Sequence, residues 1–540
     1  MKKMLTTLLL TTTTALAATA QDATFTYFTY SGHDARSNEP VAAATELPNP
    51  ILSGFYPDPA ICRKGDTYYL VNSSFSFFPG VPIFESKDLT HWQQIGHVLD
   101  RPSQLQLAGQ RVSGGIYAPA ISYNERNETF YMITTNVGKG GNFYVKTKDP
   151  HQGWSDPFYL PKVDGIDPSF LFDKDGKAYI VHNAPVYGQA DYDGQRAIRL
   201  LEFSVEGDSI IGEPLEIVRG GTHVQPNPIW IEGPHLYHIG KYYYLMCAEG
   251  GTAEGHSEVI FRAKKPQGPW EECPQNPILT QRDLPEERAA KVTCTGHADL
   301  IQTTKGDWWA VFLGCRPYEA NMYNTGRETF LLPVTWHNGW PTILEKDKAV
   351  PTAAKNFTYT DRFDSLALHP RWLFLRNPPA NAYTLSSAGL TLHPSTGSVH
   401  TTKPLSALFC RQQHTTFEAE TALTFTATSA RQLAGLVLFQ NEQHNFVFGK
   451  TLLGGRPALV LKRTEKEATA LIGSCFLPSD APVRLKVEGD GRYYSFYYAQ
   501  GTSDAWHAIA IGVDGANLST ARSGGFIGTV IGLYVTKKND

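Results

Sequence analysis

Cysteine is scarce in this chain, with seven residues in 540 (Cys62, Cys247, Cys273, Cys294, Cys315, Cys410 and Cys475) and no Cys-x-x-Cys pair among them. That excludes a disulfide-dense scaffold and a zinc ribbon; an odd number cannot all pair internally, so most should be small core residues, with at most a few disulfides. Charge of one sign is also lacking: a net charge of −4 offers no basic surface for nucleic acid or a membrane. Beyond the N-terminus no run is long and apolar enough to span a membrane as a helix. Sustained helical periodicity is hard to find. What is abundant is aromatic residues, 12% of the chain, with 47 glycines and 35 prolines, a mixture that suits many short strands between turns and an all-β fold. A length of 540 exceeds one core, so two domains are the default.

Residues 1–20 carry Lys2 and Lys3, a Thr-diluted apolar run and Ala18-Thr19-Ala20 ahead of Gln21. This is the pattern of a secretory signal peptide, and a Gln in place of Cys after the cut gives no lipid anchor. The expected location is the periplasm or outside the cell. Residues 21–47 open with TFTYFTY (Thr24 to Tyr30), one strand that could complete a sheet of a neighbouring domain, and continue as a polar, Ala-rich linker.

Residues 48–351 are organised around a layout that occurs five times: an acidic or small residue, a Pro or small residue, an apolar strand, a turn, then an aromatic-rich strand. Asp58, Ala118, Asp167, Glu232 and His297 head the copies, at spacings of 60, 49, 65 and 65 residues. Repeats of this length holding two hairpins each predict a five-bladed β-propeller. The heads open the innermost strands and should face one cavity on the axis. A lone Asp-Pro is ordinarily turn chemistry. Asp58, Asp167 and Glu232 sharing one repeat position are different, because like charges in a partly dry cleft are tolerated where their shifted pKa values are useful. Trp92, Trp154 and Trp270, each after a turn, read as blade packing. From 352 to 540 the texture changes to short alternating strands, a β-sandwich, with no acid recurring at a fixed position. The chain ends soon after Tyr534, early for such a sheet.

Two carboxyl groups flanking a bond, one protonated and one ionised, are what glycoside hydrolysis requires, and a third near the acid raises the acid's pKa. Phe75, Phe77, Phe78 and Tyr117 would offer faces to a sugar ring, and Arg327 would grip hydroxyls.

The stretch NPILSGFYPDPAICRKGDTYYLVNSSFSFFPGVPIFESKDLTHW (Asn49 to Trp92), with SGGIYAPAIS, GIDPSF, IEGPHLY, TGHADLIQT, GRET and a sandwich behind, resembles glycoside hydrolase family 43, from Asn49 nearly to the end of the chain. The resemblance is to two-domain β-D-xylosidases and α-L-arabinofuranosidases, a propeller followed by a concanavalin-like sandwich, acting with inversion. It implies Asp58 as general base, Glu232 as general acid and Asp167 as the carboxylate that tunes and orients the acid. It further implies Arg327 and Phe75 in substrate binding, and Phe526 of GGFIG as a sandwich residue closing the pocket. Tyr117 stands where similar enzymes often carry Trp. His297 matches a His near the cavity floor; hydrogen bonding is favoured over metal ligation, no cofactor is required, and calcium on the axis stays open. Glu272-Cys273 and Arg282-Asp283 resemble elements of fructan-cleaving propellers in the wrong order, which leaves Glu272 a surface turn residue. The expected function is removal of terminal non-reducing α-L-arabinofuranosyl, and with it β-D-xylosyl, residues from plant hemicellulose. A β-D-xylosidase proper, an endo-acting arabinanase and a non-catalytic sugar-binding propeller are the alternatives, and an oligosaccharide or polysaccharide is the partner.

Overall fold

The computed structural model describes residues 21–34, 47–353, 355–501 and 503–538. The expected signal peptide and most of the linker lie outside the described residues. The fold is nearly all β. Five antiparallel sheets radiate about an axis, with inner strands at Ala60–Lys64, Ile116–Asn124, Ile166–Phe172, Glu232–Ile239 and Thr293–Gln302. Their second strands are buried on both faces because neighbouring blades cover each side; all eight residues of Thr129–Asn136 are inaccessible. Outer strands such as Ser209–Arg219 become mostly exposed where solvent replaces a neighbour. Trp154 is buried in the propeller core, and Trp92 and Trp270 pack against it from the side. The ring closes where the segment before the first blade lies on the last: Leu52 bridges Thr329, and the Asn49 side chain donates to and accepts from the Leu331 backbone, both at 2.8 Å.

The first strand of the chain belongs to the second unit. Ala23–His33 pairs with Thr416–Thr424, Gly389–Leu392 and Asn356–Asp361 inside an eight-stranded sheet. A six-stranded sheet faces it, with Phe28, Leu408, Leu436, Leu485 and Leu533 in the core between them. The strand Val530–Thr536 runs between Ser406–Arg411 and Leu433–Asn441, inside the six-stranded sheet. All seven cysteines are free, and six are buried.

The two units share an extensive interface. Phe77–Phe78 pairs with Phe374–Leu375 of the second unit; the Phe77 ring is buried against Leu375 and Phe409 there, and the Phe78 ring in the propeller's own core. This corrects their expected place on the sugar: an SFSFFPG run does not reveal which of its aromatics meets another domain. The fully buried Arg376 donates through Nε to the Gln110 carbonyl at 2.5 Å and through its backbone N–H to Ser76 at 2.7 Å. Arg411 donates to the Phe55 carbonyl at 2.8 Å and stacks on Tyr56.

The blade heads share one backbone feature. Asp58, Ala118, Asp167, Gly233 and His297 all have positive φ, between 33° and 57°, and the ladders of the last four blades break register at that point. A bulged residue re-aims its side chain, here toward the axis. The fourth head is therefore Gly233, not Glu232. A Cβ on Gly233 would lie 2.8 Å from the His297 ring, so this place on the axis admits only glycine. Glu232 sits one residue earlier, at the level of Tyr117 and Ile166, which line the larger cavity above.

Candidate active site

At one mouth of the propeller lies a cavity of about 420 Å³, lined by Asp58, Asp167, Glu232, His297, Arg327, Phe75, Tyr117 and, from the second unit, Phe526. The structure thus brings together every residue expected at the site except Phe77 and Phe78.

Both oxygens of Asp58 are engaged. Arg327 Nη1 donates to Oδ1 at 3.0 Å and Ser73 Oγ to Oδ2 at 2.6 Å. Because Ser73 Oγ accepts the Ala118 N–H at 2.7 Å, its own proton is aimed at the carboxylate. Burial pushes the Asp58 carboxyl up, but the Arg327 guanidinium, the His297 imidazole and the Ser73 hydroxyl outweigh it, leaving its pKa below the ordinary value. Glu232, only 8% exposed, behaves oppositely. Burial, then repulsion from Asp167, pushes it up to about 8. One carboxylate held ionised and one carboxylic acid held protonated, facing one cavity, is the division of labour that acid–base hydrolysis needs.

Asp167 accepts the Gly233 N–H at 3.1 Å and lies 3.7 Å from His297 Nε2. Burial alone would lower the His297 pKa; Asp167, Asp58 and Glu232 reverse that and raise it to about 9. That direction makes His297 a partial counterion to the three carboxyl groups around it. Below it the axial space is walled by Pro59, Pro168, Pro234 and His235, and no cluster of three His, Cys, Asp or Glu side chains fit to hold a metal occurs among the described residues.

The aromatic wall forms one packed unit. Phe75 and Phe526 stack at 6.1 Å and 23°, Tyr117 meets Phe526 edge-on at 5.6 Å, and the Arg327 guanidinium lies 5.4 Å from the Phe526 ring. Phe526 is positioned by its backbone N–H, which donates to Ser113 Oγ at 3.0 Å. Tyr117 OH donates to the Ser113 carbonyl at 2.7 Å, so a single serine on the propeller holds both. Near this lid a Cβ on Gly326 would fall 2.6 Å from the Gly528 nitrogen, a backbone approach that only glycine permits.

Sequence reasoning missed four residues. Ser73 orients Asp58. Glu258, buried behind His297 and itself pushed up to about 8 by burial, accepts the Ala298 N–H at 2.9 Å. Arg111 and Trp230 line the cavity. Only Trp230 carried a usable signal, since it stands two residues before Glu232. Glu272 lies away from the cavity, as expected, but on a short edge strand rather than in a turn, where it contacts His223.

Comparison with known proteins covers both units of the chain. Residues 47–341 match the family of glycosyl hydrolases 43, and residues 360–540 match the beta xylosidase C-terminal concanavalin A-like domain. A xylosidase/arabinosidase of Butyrivibrio fibrisolvens is 38% identical over 90% of this chain and 95% of its own length. A non-reducing end alpha-L-arabinofuranosidase of Bacteroides ovatus is 35% identical over 90% of this chain and 91% of its own. The crystal structure of a GH43_12 protein from a capybara gut metagenome superposes with a TM-score of 0.88 at 44% identity, covering 95% of this chain and 99% of that one. With a carboxylate and a carboxylic acid in one cavity at the propeller mouth and a concanavalin-like unit closing over it, the chain belongs to glycosyl hydrolase family 43 and is a glycosidase.

Proposed function

We propose that the protein is an exported, exo-acting, inverting glycosidase that removes terminal non-reducing α-L-arabinofuranosyl, and secondarily β-D-xylosyl, residues from hemicellulose or its oligosaccharides. The observation that carries the reading is the pairing of a lowered Asp58 with a raised Glu232 in a cavity closed on one side by Phe526. A closed pocket accepts a chain end, whereas an endo-acting enzyme needs a groove open at both ends. Both pentoses occur in the names of similar proteins, which favours a pocket that takes either.

In the proposed reaction the Asp58 carboxylate takes a proton from water, and that water attacks the anomeric carbon from the face opposite the leaving group. Glu232 gives its proton to the departing oxygen, so the acid ends ionised and the base protonated, and exchange with solvent resets both. Asp167 favours the protonated form of Glu232 before the step. Arg327 anchors Asp58 and presents its remaining N–H groups to sugar hydroxyls. Such a displacement needs carboxyl groups ~6.5 to 9.5 Å apart to admit the water, against ~5 to 5.5 Å for retention.

The test is release of nitrophenol from the α-L-arabinofuranoside and the β-D-xyloside, with the first-formed sugar followed by NMR. Wild type should cleave one or both with inverted configuration, and Glu232→Ala should lose at least about a hundredfold in kcat/KM. Cleavage of neither substrate, or a retained anomer, overturns the reading.

A further inference from the structure

We infer that Trp230 is the stacking platform for the sugar that leaves, the ring directly beyond the scissile bond. The inference rests on the reading of Glu232 as the acid.

The walls that would hold the terminal sugar lie deep. Phe75 and Arg327 are almost fully buried, and Phe526 covers them. Trp230 lines the same cavity, yet 40% of it is exposed, which places it at the mouth. It precedes Glu232 by two residues, and two residues of extended chain span at most about 7 Å. The group protonated by Glu232 is the leaving oxygen, so whatever that oxygen carries must pass out beside Trp230.

The backbone treats Trp230 as a positioned residue. Its φ is +55°, unusual for a bulky side chain, and such a conformation persists only where its surroundings over-determine it. Three restraints do so. The Trp230 N–H donates to the Gly194 carbonyl at 2.9 Å, and the Gly250 N–H to the Ile229 carbonyl at 2.9 Å. Asn183 Nδ2 donates to the Ile231 carbonyl at 2.5 Å. The same Asn183, through Oδ1, accepts two bonds from Arg196 at 3.1 and 2.8 Å, and this guanidinium lies 4.8 Å from the indole centroid. One asparagine therefore fixes both the chain that carries Glu232 and the cation that steadies the indole. A large aromatic left this exposed, and held this firmly, is what a pyranose or furanose ring stacks on.

The test compares two leaving groups on one pentosyl donor: a sugar, as in the disaccharide, and azide, which has no ring to stack. Trp230→Ala should lower kcat/KM on the disaccharide at least about tenfold more than on the glycosyl azide. Trp230→Phe, keeping a ring, should recover most of that difference. Equal losses on both donors, or no loss on the disaccharide, overturn the inference. Wild-type turnover, measured first, separates the two proposals: if wild type cleaves neither donor, the proposed function fails and the inference with it. If it cleaves both and the variants lose them in parallel, only the role of Trp230 fails.

Discussion

Glu232 and Asp58 differ by one carbon and share one cavity, yet they are driven to opposite protonation states. The difference lies in their partners: Asp58 has a guanidinium and a hydroxyl on its oxygens, whereas Glu232 has a second carboxylate nearby and little water. The sign of the pH dependence follows. With Glu232 as the proposed acid and Asp58 as the proposed base, kcat/KM should fall as pH rises through about 8, while the acid limb should lie below the ordinary carboxylate value. Asp167→Asn removes the repulsion that helps raise Glu232, so in that variant the alkaline limb should move to lower pH, beside any loss in rate. A limb that stays in place in a pH–rate profile of that variant would mean that burial alone holds the proton. Asp58 and Asp167 were legible because both head a copy of the repeat at the same position. Glu232 was legible as an acid but assigned to the wrong ring position, because acidity was used to align copies whose backbones align on Gly233.

At the scale of the element, the N-terminal strand shows why order along the chain is a poor guide to domain membership. Ala23–His33 is separated by the whole propeller from the sheet it enters, and it enters between strands, not at an edge. Its alternation of aromatic and small polar residues announced a strand, and burial of Phe25, Phe28 and Tyr30 explains the pattern. Tyr30 stacks on Tyr359 and Phe417, both at 5.6 Å, and its hydroxyl bonds His414 at 3.1 Å. Tyr30→Ala should therefore cost about 3–5 kcal/mol, close to the value for a buried aromatic. Denaturant unfolding would read this as a lower midpoint. A cost under about 1 kcal/mol would mean that the strand is dispensable to the sheet.

For the whole molecule, the active site is finished only by the contact between the two units. The propeller supplies the acids, and the sandwich supplies Phe526 through a loop that meets Gly326, just before the strand Glu328–His337, backbone to backbone. A methyl at position 326 would collide with the Gly528 backbone and strain a φ of +79°. Gly326→Ala should shift the lid and Arg327 together, reducing kcat/KM by about tenfold or more while circular dichroism still reports intact sheets. Wild-type kinetics in that variant would show that the lid and the binding arginine are independent of this approach.

The sequence alone determined the number of blades, the presence of a second all-β unit and the acids at the centre, because repeats and alternation are properties of local backbone geometry that each segment carries with it. What the tertiary structure decided are relations between segments distant in sequence. Phe77 went to the domain interface and Phe78 to the propeller core, while Phe75, two residues before Phe77, went to the cavity; Ser73 became the partner of Asp58; Trp230 came to stand at the mouth. Side-chain direction at a bulge and desolvation by a neighbouring domain depend on where other chain segments pack, and no local pattern encodes them.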